Sequence, residues 1–179
     1  MQQRGTRRLS ARARKAVLAA HIVSAGAWIG IDVVLGVVVF TAMLTGDPAT
    51  AAIGWQALRL FAVWPLLITG AVCLASGVVL GLGTKYGLVR YWWVAVKLVL
   101  NVVLMVLVAF ALRPGVDTAA DYGRRLAAGD ALVPLPNLFM PPIVSSTCLL
   151  VAVLLSVFKP WGRIRRGAPA RGGALSRVA

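Results

Sequence analysis

The sequence contains no glutamate, five aspartates, one histidine and two cysteines in 179 residues. The scarcity of acids leaves no carboxylate pair for general acid–base chemistry. A single histidine excludes the HExxH zinc pattern, and neither a P-loop nor a GxSxG nucleophile turn is present. Cys73 and Cys148 both lie in apolar runs, at different expected depths, which argues against a disulfide or a shared metal and for two buried apolar thiols. Charged residues are 13% of the chain, against about a quarter in a soluble domain. No strand-like alternation competes with the apolar runs.

What the chain does have is apolar length. Hydrophobic residues make up 60% and the mean hydropathy is +0.86. Ala16–Leu44 can carry charge only at His21 and Asp32 and exceeds the roughly 20 residues that cross a bilayer. A basic start before an apolar run resembles a signal peptide, but this run is about twice the usual length and reads as a retained span. Four spans are expected, at about 16–43, 59–82, 91–112 and 142–158. The fold class is therefore an all-α, four-helix transmembrane bundle. Gly46, Asp47 and Pro48 end the first span, and Ala49–Leu58 reads as a short outer loop or surface turn. Pro65 falls early in the second span, where it bends the helix only mildly. Arg113-Pro114-Gly115 is expected to end the third. Residues 113–141 read as an outer loop with one short helix, Thr118–Ala128, capped by Asp117 and stopped by Gly129. Pro134, Pro136, Pro141 and Pro142 keep the return non-helical.

The net charge of +14 suggests nucleic acid, but the positions of the bases argue otherwise. Arg4, Arg7, Arg8, Arg12, Arg14 and Lys15 precede the first span. Lys85 and Arg90 lie between the second and third. Lys159, Arg163, Arg165, Arg166, Arg171 and Arg177 follow the fourth. With four spans these segments share one side, the positive-inside pattern, so both termini are expected in the cytoplasm. The basic tails, 1–15 and 159–179, lack the interleaved aromatics or fold of a nucleic-acid module. They suit anionic lipid head groups, at about 1 kcal/mol per basic residue near the surface. The second tail is Gly-, Ala- and Arg-rich and is expected to be disordered. Abundant Arg and Ala fit a bacterial, plasma-membrane protein.

Ionisable residues inside a span cost about 2.5–3.5 kcal/mol on insertion scales and normally face protein or a wet cavity. His21, Asp32 and Lys97 are the three. His21, Ser24, Trp28 and Asp32 share one face of the first span. Trp93, Lys97 and Asn101 share a face of the third. His21 and Lys97 are level, at about 7 and 9 Å from the inner ends of their helices, while Asp32 is about 24 Å up. Arg59 can point toward Asp32. The expectation is a polar seam between the first and third spans that passes protons or binds a polar head group or cofactor. The plainer alternative is hydrogen-bonded packing, at about 0.6 kcal/mol per bond, with Lys97 snorkelling to the cytoplasmic surface. Gly26 and Gly30, and Gly77 and Gly81, are spaced for close helix packing, and a homo-oligomer or a membrane-protein partner follows from the small size of the bundle. His21 is the one candidate metal ligand: haem would need a second axial ligand, for instance from a dimer. Copper would prefer clustered Met, Cys and His, but Met43, Met105 and Met140 lie toward the outer side on separate segments while His21 is on the inner side, so the methionines read as packing or interface residues.

His21-x6-Trp28-x-Gly30, Ser76-Gly77 with Leu80, and Trp93-x3-Lys97 resemble a bacterial family of four-helix integral membrane proteins of unknown function. They are also distantly similar to the copper-resistance D membrane domain. The first resemblance implies a plasma-membrane bundle over residues 16–158; the second implies copper handling. The function expected from the sequence is non-enzymatic: a bundle that binds a ligand, lipid or partner, or assists transport. A haem or redox protein using His21, or copper handling, are the alternatives.

Overall fold

A computed structural model of the chain describes residues 9–83, 91–130 and 138–158. They form helices α1 (Ala11–Leu44), α2 (Pro48–Phe61), α3 (Trp64–Gly83), α4 (Trp92–Leu107), α5 (Arg113–Ala127) and α6 (Met140–Phe158), with a π-helical turn at Val108–Leu112 joining α4 to α5. Four stretches are long and apolar enough to cross a membrane: Ala11–Leu44, Pro48–Gly83, Trp92–Ala127 and Met140–Phe158.

The first span starts earlier than its apolar run because Ser10 caps it. The Ser10 hydroxyl accepts the Ala13 N–H at 3.2 Å, so Arg12, Arg14 and Lys15 lie in the helix rather than in a tail. The stretch expected as an outer loop, Ala49–Leu58, is helical instead. Asp47 supplies the cap, accepting the N–H groups of Ala49 (3.2 Å) and Thr50 (3.0 Å) and the Thr50 hydroxyl (2.6 Å). Pro48 follows at the first helical position, where its fixed φ suits the helix and no N–H is missed. The break comes later, at Ala62 and Val63, between the end of α2 and the start of α3 and just before Pro65, which has no N–H to donate. It is slight, since Ala62 N–H still donates to Leu58 O at 2.9 Å and Leu67 N–H to Val63 O at 3.0 Å.

Arg113-Pro114-Gly115 does not end the third span. Pro114 lacks an N–H and its ring would collide with the carbonyl four residues back. The π-helical turn immediately before it widens the helix there, and the chain runs on to Ala127. Asp117 consequently caps nothing; the helix it sits in is already under way. Gly129, at φ 81°, terminates it as the sequence suggested. The fourth span begins at Met140, so Pro141 and Pro142 occupy its first turn instead of preceding it. Pro134 and Pro136, the turn at 84–90, residues 1–8 and the tail 159–179 lie outside the described residues.

The bundle is a ring. α1 packs on α3, the most extensive contact of the bundle, α3 also packs on α4, α4 on α6, and α6 returns to α1. α1 and α4 are therefore diagonal. Three of the four spans project past the start of α6, where Pro142 lies 3.9 Å from a Cβ placed on Gly36. The projecting end of α1, α2 and α5 make a second small bundle, here called the cap. Its contacts are backbone-close. A Cβ on Gly54 would fall 2.8 Å from the Cβ of Ala42, and one on Gly123 would fall 2.8 Å from the Ala52 carbonyl and 2.9 Å from the Trp55 Cβ. Ala51, Ala52, Val116, Ala119 and Ala120 complete this small-residue interface, and the Tyr122 ring meets Trp55 edge-on at 6.3 Å. Arg59 joins α2 to α5 through Asp117 at 3.6 Å, an exposed pair worth little in stability.

Candidate functional site

The polar residues of α1 meet different helices at successive depths. At the end where α1 begins, His21 Nδ1 is 3.0 Å from the Cys73 carbonyl and 3.1 Å from the Ser76 hydroxyl, both on α3. A carbonyl only accepts, so the proton sits on Nδ1. The imidazole lies over Gly77, whose missing Cβ would be 3.2 Å from Cε1. Nε2 is thus the nitrogen with which His21 would bind a metal or haem iron. The Cys73 sulfur is 3.7 Å from Nδ1 and lies beside the Ser24 and Asn101 side chains. Ser24 donates to the His21 carbonyl of its own helix at 3.1 Å.

The two faces of the expected seam, on the first and third spans, approach each other through α3: the Cys73 thiol meets Ser24 on one side and Asn101 on the other. Because α1 and α4 are diagonal, α3 stands between them, and Cys73 fills the position where the two faces were expected to meet. Lys97 reaches α6: Nζ donates to the Ser156 hydroxyl at 2.8 Å and lies 4.7 Å from the centroid of the Trp93 ring, while its charge is still close enough to act on His21 and Cys73. Gly26 and Gly30 take no part in packing among the described residues, since a Cβ on either would meet nothing within 4 Å there. Gly81 is buried on α3. The close-approach glycine that spacing alone did not single out is Gly70: a Cβ there would lie 2.6 Å from Cζ3 and 2.9 Å from Cη2 of Trp28. Trp28 itself is completely buried at the centre of the ring. Its Nε1, and Asn101 Oδ1, are buried without a hydrogen-bond partner among the described residues.

One turn beyond Trp28, Asp32 faces α6. It is 2% exposed, and its Oδ2 accepts the Ser145 hydroxyl at 2.6 Å. Arg59, paired with Asp117, does not reach it. The two side chains line a cavity of about 320 Å³ between the membrane-length bundle and the cap. All the other lining residues are apolar. Leu35, Leu66, Leu104 and Val108 surround the Asp32 end, while Val39, Leu58, Val116 and Leu138 form the roof. Leu107, Ala111, Met140 and Val144 also line it and are exposed, so the cavity opens sideways between the π-helical turn and α6.

The cavity exists because α6 is short. Its first turn stops level with Gly36, and the space above it is roofed by the cap rather than filled by helix. A helix end placed among apolar residues normally strands four N–H groups; Pro141 and Pro142 remove two of them. Ser145 was not singled out from the sequence. The available signal was depth: Asp32 in the outer half of the first span and Ser145 near the outer start of the fourth stand level. No family model, curated protein or solved structure matches the chain.

Proposed function

We propose that this is a multi-pass protein of the bacterial plasma membrane, both termini cytoplasmic, that binds an apolar small molecule drawn from the outer leaflet. The observation that carries the reading is the cavity: about 320 Å³, walled by aliphatic side chains, with one carboxyl–hydroxyl pair at its floor and a sideways opening. Ligand sites are typically apolar hollows of about 300–1,000 Å³ with a few convergent polar groups. The clustering of basic residues before the first span, between the second and third, and after the fourth supports an outer position for the cap and cavity. Anionic head groups at the basic ends, and further copies of the chain, are the partners this reading adds.

The test is photolabelling in a reconstituted bilayer with adamantyl diazirine, a small neutral apolar probe. Leu35 and Leu66 are buried, so lipid-phase probe reaches them only through the cavity. Saturable labelling of both is expected, with loss in Ala62→Leu, which extends a buried lining residue into the space. Wild-type protein labelled only on its lipid-facing residues would refute the reading.

A further inference from the structure

We infer that the ligand of this cavity is a lipophilic cation, an apolar body bearing a protonated amine that pairs with Asp32; this rests on the ligand-binding reading above. Asp32 Oδ2 is occupied by Ser145. Oδ1 has no hydrogen-bond partner among the described residues, and it is not one of the fully enclosed orphan atoms, so it faces the cavity that Asp32 lines. A carboxylate away from water needs a counter-charge or further donors, and one hydroxyl is not enough. Among the described residues the protein supplies no counter-charge. The cavity lining holds no Lys, Arg or His, and Arg59, the base at the end of α2, is engaged with Asp117. An ammonium group gives both what the carboxylate lacks, a charge and short charge-assisted hydrogen bonds. The aliphatic walls and sideways opening then select for an amine whose remainder is apolar, and against a hydrated inorganic cation, which would find one carboxylate and no other charged ligand.

Four compounds sharing one apolar body separate the possibilities: 1-adamantylamine, 1-adamantanol, adamantanone and adamantane-1-carboxylate. Each is used at pH 7 to compete with adamantyl diazirine for labelling of Leu35 and Leu66 in the reconstituted full chain. The amine, protonated at that pH, is expected to compete at least tenfold better than the alcohol, with the carboxylate weakest. In Asp32→Asn, which keeps the shape and the Ser145 hydrogen bond, the amine-to-alcohol ratio is expected to fall to near one. In Ser145→Ala, which keeps the carboxylate, the preference is expected to persist. The inference is overturned if alcohol or ketone matches the amine in wild type, the ketone result meaning that Asp32 donates as a neutral acid. It is overturned equally if Asp32→Asn retains the preference, or if Ser145→Ala loses it. Each of these leaves the cavity reading standing, because Leu35 and Leu66 are still labelled. If neither is labelled by the diazirine, both the reading and the inference fall.

Discussion

Replacing Gly70 with alanine places a methyl group where the Trp28 ring already is. The new Cβ would lie 2.6 Å from Cζ3, 2.9 Å from Cη2 and 3.1 Å from the Met105 Cγ. Met105 can yield through its flexible chain; a fully buried indole cannot. Overpacking of this kind costs about 1–3 kcal/mol. Alanine also favours helix over glycine by up to about 1 kcal/mol, so Gly70→Ala alone mixes two effects. Gly30→Ala, where nothing lies within 4 Å, reports the helix term by itself. The difference between the two variants isolates the clash. At about 2–4 °C per kcal/mol for a chain of this size, Gly70→Ala should melt roughly 2–12 °C below Gly30→Ala in detergent. Trp28→Phe removes the benzo ring that carries Cζ3 and Cη2, so combining it with Gly70→Ala should be less harmful than the two single changes added together. Equal melting temperatures for Gly70→Ala and Gly30→Ala, with additive behaviour in the double variant, would refute the placement of Trp28 on Gly70.

Two further outcomes follow from the cap. Hydrogen bonds from the Thr50 hydroxyl, the Thr50 N–H and the Ala49 N–H hold the Asp47 carboxyl below its ordinary value of 3.8. A lowered folded value means stability that is complete above 3.8 and lost as the pH falls through the folded value. Melting temperature should therefore drop with acid more steeply in wild type than in Asp47→Asn, which still caps α2 but does not titrate. In Gly123→Ala the new Cβ meets the Ala52 carbonyl and Trp55 Cβ, both rigid. Amide hydrogen exchange should speed up in α2 and α5 while α3 and α6 keep their protection.

The four spans were readable because their signal is one-dimensional: length and hydropathy specify a membrane-length helix without any tertiary information. The elements misread were those whose local signals are ambiguous. Ala49–Leu58 has good helix formers, but Gly54 and its modest hydropathy hid a helix that is stabilised by packing on Ala42. Pro114 reads as a stop, and only a π-helical turn, which leaves no mark in composition, lets the helix pass it. The polar seam is a different case. Depth along each span follows from a fixed rise, and it correctly grouped His21 with the start of the bundle and Asp32 with the far half. Which helices are neighbours around the ring does not follow from rise. His21 with Cys73, and Asp32 with Ser145, are contacts between ring neighbours that needed coordinates. The glycines divide likewise: Gly77 receives His21, whereas Gly26 and Gly30, identical in spacing logic, face outward.

The short α6 also shapes the bilayer around the protein. It has 19 residues, about 28 Å of helix, close to the roughly 30 Å of a hydrocarbon core. On the α1 side, exposed apolar side chains continue from Leu18 to Leu44, about 39 Å along the axis. One flank is thus matched to the membrane and the other is overlong. Tilting, which relieves mismatch in a uniform helix, cannot satisfy both flanks of a rigid bundle at once. Lipids beside α1 must stretch while those beside α6 stay relaxed, so the molecule carries a thickness gradient around its circumference. Such a gradient favours contact between overlong flanks, where the deformed annulus is shared, and leaves the thin flank with its sideways opening facing fluid lipid.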